Sequence, residues 1–133
     1  MDTETFELDT HDHRVIDITE RVQRFVRPGS DGLLNVFVPH ATAGVAVIET
    51  GSGSELDLED ALERLLPRDD RYQHRHGSTG HGGDHVMPAF IAPSLTLPIV
   101  DGSIALGTWQ RVVVVDPNHD NDVRSVRLSF VEG

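Results

Sequence analysis

The chain has 133 residues, no cysteine, and 22 acidic against 11 basic residues, for a net charge of −11. That length fits one domain with a core of its own, and the missing cysteines exclude a disulfide framework or a thiolate metal site. So acidic a chain is a poor partner for DNA, RNA or anionic lipid.

The first element expected is an edge strand over Thr5–Thr10, where apolar and polar residues alternate weakly. Asp17-Ile18-Thr19-Glu20 then opens a short helix ending near Val26, with Ile18, Val22, Phe25 and Val26 on one face. Arg27 to Gly32 holds Pro28 and Gly29 and reads as a loop. Strands follow at Leu33–Val38 and Gly44–Ile48. From Ser54 the run S-E-L-D-L-E-D-A-L-E-R-L-L makes an amphipathic helix with Leu58, Leu62, Leu65 and Leu66 on its apolar line, closed by Pro67. Arg68 to Asp84 is polar and irregular, with glycines at 77, 80, 82 and 83. A structureless stretch of that length in a small domain is usually either functional or disordered. His85–Ala92 offers at most a helical turn, since Pro88 and Pro93 leave little room.

Ser94 to Asp116 reads as a β-meander: Leu95–Val100, a turn at Asp101-Gly102, Ser103–Leu106, and Gln110–Val115. Asp-Gly between apolar runs is a hairpin signal, because glycine accepts the positive φ of such turns. The β-branched run Val112–Val115 is that of a strand covered on both faces. Between the last two strands stands Gly107-Thr108-Trp109-Gln110, with the only tryptophan. Trp109 is expected either to cap the core or to be aimed at a site by a glycine bend. Asp116–Asp122 is a turn, and Val123–Val131 alternates with Val126, Leu128 and Phe130 on one face. Strands outnumber helices without a boundary or repeat, so the expected fold is α+β: one domain over residues 1–133, a mostly antiparallel β-sandwich with short flanking helices. No apolar run approaches the roughly 18 residues of a membrane span. Met1 to Thr5 is acidic, unlike the start of a secretory signal. A soluble, cytoplasmic protein is expected. All basic residues are arginine, a composition that suits a high-salt proteome or an acidic, GC-rich one.

Chemistry centres on the eight histidines. His74, His76, His81 and His85 fall within twelve residues in the glycine-rich loop, and His40 directly follows a strand. Glu49 ends the next strand. Imidazole and carboxylate are ligands of zinc and other divalent metals, and imidazole also serves acid–base chemistry near neutral pH. The spacing matches no compact zinc motif. His11, His13 and His119 read as plain surface residues. Gly51-Ser52-Gly53-Ser54 precedes a helix but lacks the Gly-Lys-Ser/Thr ending of a phosphate-binding P-loop, and no Gly-x-Ser-x-Gly nucleophile turn is present.

Two longer motifs, V-F-V-P-H-A-T-A-G-V-A-V-I-E and S-L-T-L-P-I-V-D-G-S-I-A-L-G-T-W-Q, stand in this order with Tyr72-Gln73-His74 and His85 between them. Together they resemble the YjbQ family, with which a secondary thiamine-phosphate synthase activity is associated, and the likeness runs from about Thr3 to Val131. The resemblance implies a twisted β-sandwich assembled as a homotrimer. It also implies a polar signature of His40, Thr42, Glu49, His74, His85, Trp109 and Gln110. On that basis His40, Glu49, His74 and His85 are candidate catalytic residues, and Thr42, Trp109 and Gln110 candidate substrate contacts. His40, His74 and His85 are candidate ligands of a divalent metal, zinc or magnesium. The partner implied is a small molecule. The alternative is a non-catalytic trimeric module holding a metal or small anion. The chain departs from the family pattern at Thr50–Gly53, at His81 where an asparagine is usual, at Met87 where a base is usual, and at Ala89 where a small polar residue is usual. The loss of a base at Met87 weakens a diphosphate site. The expected geometry is one cleft receiving His40, His74 and His85, with Glu49 at its edge and Trp109 as a wall; the sequence assigns no role to His76, His81, Asp69 or Asp84.

Overall fold

A computed structural model describes residues 1–133 as eight strands and three helices. The first half holds β1 (Asp2–Asp9), β2 (Val15–Asp17), α1 (Thr19–Phe25), β3 (Gly32–Phe37), β4 (Gly44–Ile48) and α2 (Ser54–Leu65). The second half holds α3 (His81–Asp84), a 3₁₀ turn at Met87–Ala89, β5 (Ser94–Val100), β6 (Ser103–Ile104), β7 (Arg111–Val115) and β8 (Val123–Glu132). The strands form two antiparallel sheets, β1-β8-β3-β5-β6 and β2-β7-β4. No helix is long and apolar enough to cross a membrane.

The valine run of β7 holds the layers together. Val112 and Val114 pack into the space between the sheets with Leu34, Val36 and Leu128. Val113 and Val115 face the other way, joining Met87, the α2 residues Leu58 and Leu62, and Leu66 just past the end of α2. All four valines are buried, each contributing about 1.5–3 kcal/mol by leaving water. A strand covered on both faces needs no polar alternation, which is why its sequence shows none.

Four features differ from the sequence reading. The meander is broken: β5 and β6 stay in the larger sheet, and the chain crosses at Gly107–Gln110 so that β7 enters the smaller one. The Asp101-Gly102 turn forms as expected, both residues having positive φ. Leu65 is 53% exposed, because the i, i+4 line of Leu58, Leu62 and Leu66 alone meets the core. The strand β2 is too short at three residues to show alternation, and pairing with β7 makes it. Within the glycine-rich stretch, α3 adds a single helical turn.

Candidate metal centre

The polar loop after α2 is held by local contacts that its glycines permit. The Tyr72 hydroxyl donates to the Pro67 carbonyl at 2.7 Å, and its ring lies so close to Gly82 and Gly83 that a Cβ there would sit 2.6 and 2.8 Å from tyrosine atoms. With no side chains in the way, α3 lies against the Tyr72 ring, carrying His81 and His85 one helical turn apart on the same side. His74 and His76 arrive from the irregular segment before it.

The four imidazoles meet. Ring centroids lie 4.0 Å apart for His74–His76 and for His74–His85, 4.4 Å for His81–His85, and 4.8 Å for His76–His81. One ligand nitrogen from each falls within 4.8 Å of the others, and His81 Nε2 is 2.7 Å from His85 Nε2. Desolvation first, then the neighbouring imidazoles, hold His74 and His85 below the ordinary histidine range. They therefore favour the neutral form that a metal requires.

Behind His81 stands a second layer from the turn after β7. Asp120 Oδ2 lies 2.8 Å from His81 Nδ1 and accepts the Ser78 N–H at 3.1 Å. Asn118 donates to Asp84 at 3.0 Å and accepts the Asp120 N–H at 2.9 Å. Arg68 closes the set on Asp84. Asp84 is thus a buried brace with both oxygens committed, while Asp69 is taken up by its neighbour Arg71.

The residues expected from sequence divide among three places. His74 and His85 do come together, but with His76 and His81 rather than with His40. His40 lies outside the four-imidazole group because its Nε2 accepts the Ser125 N–H at 2.8 Å. Burial, with Arg124 adding to it, holds this ring below the usual histidine range. Thr42 is buried beside it and accepts from Arg124 at 3.1 Å; Arg124 in turn pairs with the buried Asp116.

Glu49, Trp109 and Gln110 are elsewhere. In the antiparallel pair β4–β7, Gly44 faces Val115 and Ile48 faces Arg111. The His40–Ala43 turn therefore leaves the sheet beside the turn that carries Asp116 to Asp120, while Glu49 and Trp109 leave at the opposite end. Four residue steps separate the ends, roughly 13 Å at about 3.3 Å each. Within one chain, Glu49 does not edge the histidine cluster and Trp109 does not wall it. Trp109 is 72% exposed, so it does not cap the core, and the Gln110 side chain accepts the Gly107 N–H within its own bend. The signal that would have found His81 was the i, i+4 pair His81–His85, hidden because two glycines between them argue against a helix.

Comparison with known proteins gives one answer at every level. A family described as UPF0047 protein YjbQ-like matches residues 4–133. A UPF0047 protein of Mycobacterium tuberculosis is 62% identical over the full length of both chains, and one from Archaeoglobus fulgidus is 32% identical over 77% of this chain and 79% of its own. The crystal structure of a hypothetical protein from Aeropyrum pernix superposes with a TM-score of 0.90 at 30% identity, covering all of both chains. A YjbQ/UPF0047 structure from Clostridium acetobutylicum gives 0.85 at 27%, covering 96% of this chain and 99% of that one.

Proposed function

The chain belongs to the UPF0047, YjbQ-like family, and from the histidine cluster on that scaffold we propose that it binds a divalent transition metal and uses it on a small-molecule substrate. The observation that carries this reading is the convergence of four imidazole nitrogens within 4.8 Å. A tetrahedral zinc with nitrogens at about 2.0–2.1 Å sets its ligands about 3.4 Å apart, which small rotations of these rings achieve. An all-nitrogen set suits zinc and disfavours magnesium, which takes oxygen. A bound zinc supplies Lewis-acid stabilisation of negative charge on oxygen.

The reaction that family resemblance implies is a thiamine-phosphate synthase-like transfer, joining an aminopyrimidine diphosphate to a thiazole phosphate with loss of diphosphate. The cavity beside the cluster is lined by Arg75, Ser78 and Thr79, by the carboxylates Asp69 and Asp70, and by no hydrophobic residue, so it suits a polar, hydrated group, and a phosphate there would need the metal to offset the two carboxylates. His76 is exposed, and a substrate oxygen takes the place of an exposed ligand more readily than that of the buried His81. A heteroaromatic ring fits Trp109 better, and bringing that residue to the cluster requires a second copy of the chain. A homotrimer is the assembly we propose, to be checked by light scattering.

A second reading, a non-catalytic metal-binding module, is favoured by one feature: four histidines close a tetrahedron and leave no open position. Zinc titration followed by a turnover assay separates the two. Stoichiometric zinc with thiamine phosphate formed above background supports the enzyme; stoichiometric zinc without turnover supports the module. No zinc binding at all refutes both.

A further inference from the structure

We propose that Asp120 is a positioning residue of this centre, fixing the tautomer and orientation of His81 so that Nε2 presents its lone pair to a metal. The proposal rests on the metal reading above and assigns a part to a turn that sequence reading left as a connection.

The geometry is specific. Asp120 Oδ2 stands 2.8 Å from His81 Nδ1 and also takes the Ser78 N–H, so the carboxylate is fixed on the loop it supports. A carboxylate oxygen at that distance repels a bare imidazole lone pair and attracts an N–H, so Nδ1 carries the proton. Asn118 Nδ2 also lies 2.8 Å from Nδ1, and as a donor it favours the other tautomer. The amide has two hydrogens, so its bond to Asp84 leaves one for Nδ1; the carboxylate prevails because a bond to a charged acceptor is about twice as strong as a neutral one. With the proton on Nδ1, Nε2 is bare, and the 2.7 Å contact to His85 Nε2 is a hydrogen bond donated by His85. The lone pair thus points at the centre of the group, as in carboxylate–histidine–metal triads.

Gly77 gives separate support. Its φ is +83°, and a Cβ there would lie 2.7 Å from Asp120 Oδ2 and 2.7 Å from the His81 ring. The loop backbone therefore runs against this contact on a residue without a side chain. Asp120 is itself held from behind, its N–H on Asn118 Oδ1. The line Arg68, Asp84, Asn118, Asp120, His81 connects the end of α2, α3 and the turn after β7 to one ligand.

The test uses the full chain, metal-free, with zinc alone added in competition with a chromophoric chelator. Asp120→Asn is expected to weaken zinc binding by about 10–100-fold, while Asp122→Asn, on the same turn, leaves it unchanged. The ¹⁵N spectrum of the His81 imidazole in metal-free protein supplies a readout that a merely structural role does not move: Nδ1–H in the unaltered chain, shifting toward Nε2–H in Asp120→Asn. Equal zinc affinity in the unaltered chain and Asp120→Asn overturns the role of Asp120 and leaves the metal reading standing. An Nε2–H tautomer in the unaltered chain overturns it as well. Failure of zinc to bind the unaltered chain removes the metal reading itself, and the proposal with it.

Discussion

Replacing Arg124 by methionine should be among the most destabilising single changes in the protein. The Arg124 and Asp116 side chains are 5% and 0% exposed, and the substitution removes bonds of 2.8 and 3.2 Å to Asp116 and one of 3.1 Å to Thr42. Asp116 keeps the Thr10 hydroxyl and the Asn118 N–H but loses its counter-charge in a site closed to water. Breaking a buried pair from one side costs about 3–5 kcal/mol. The two remaining bonds and the apolar methionine stem place the expected loss near about 3.5 kcal/mol. At about 2.1 cal/mol/K of unfolding entropy per residue, a chain of this size should lose about 12 °C in Tm. Removing both charges, Asp116→Asn with Arg124→Met, leaves no unpaired buried charge and should recover about 1–2 kcal/mol of the loss. Urea unfolding followed by circular dichroism, at fixed protein concentration, measures both. A single-variant loss below about 1 kcal/mol, or a double variant worse than the single, would refute the reasoning. The turn carrying Asn118 and Asp120 begins at Asp116, so the single variant should also weaken zinc binding.

Other outcomes follow from the same geometry. His81→Ala and His85→Ala should each lower zinc affinity more than His76→Ala, because His76 is the exposed member of the set; isothermal titration ranks them. His40→Ala should leave zinc stoichiometry unchanged, since its ring nitrogen is engaged by Ser125, and loss of zinc in that variant would return His40 to the ligand set. In metal-free protein, His40, His74 and His85 are all held below the ordinary histidine value of 6.5. The unfolded chain therefore binds protons first. Their contribution to stability is complete above about pH 6.5 and is lost as pH falls through that value toward their lower folded ones, so Tm should drop over that interval and hold steady from pH 7 to 8. If the chains assemble, light scattering should show association strengthening with salt, because each copy carries a net charge of −11.

The fold was legible wherever burial writes a period into the chain. The alternation from Val126 to Phe130 and the unbroken valines of β7 each stated which faces are covered. Asp101-Gly102 stated its turn through the φ values it demands. What failed was whatever long-range pairing decides. Periodicity says that Arg111–Val115 is a strand, and no local signal says that it leaves its meander neighbours for another sheet. At the site, His74 and His85 were legible through their motif neighbours, whereas nothing in the sequence assigned a role to His76 and His81. Glycines at 77, 82 and 83 mark an irregular stretch in the sequence, yet they are the positions where the loop packs tightly against Asp120, His81 and Tyr72. Asp120 carried no signal at all, since a carboxylate in a turn is ordinary and only its contact with His81 distinguishes it.

The division of the polar signature between the two ends of β7 constrains any mechanism. The strand between them is a wall of buried valines, so no polar path runs through it and the ends communicate only around the protein. A substrate bridging them in one chain would have to span roughly 13 Å across the edge of the smaller sheet. If the chain is an enzyme, catalysis within a single copy would use the histidine end alone, where the adjoining cavity is lined by imidazoles, Asp69, Asp70, Arg75 and hydroxyls and by no tryptophan, tyrosine or phenylalanine. Catalysis that also uses Glu49, Trp109 and Gln110 has to join the histidine end of one copy to the tryptophan end of another. These alternatives separate by mixing. If sites form between copies, a His85→Ala chain and a Trp109→Ala chain should each be inactive alone and should restore part of the activity when co-assembled, since some interfaces then pair an intact histidine end with an intact tryptophan end. If each chain works alone, Trp109→Ala should stay active by itself and co-assembly should add nothing.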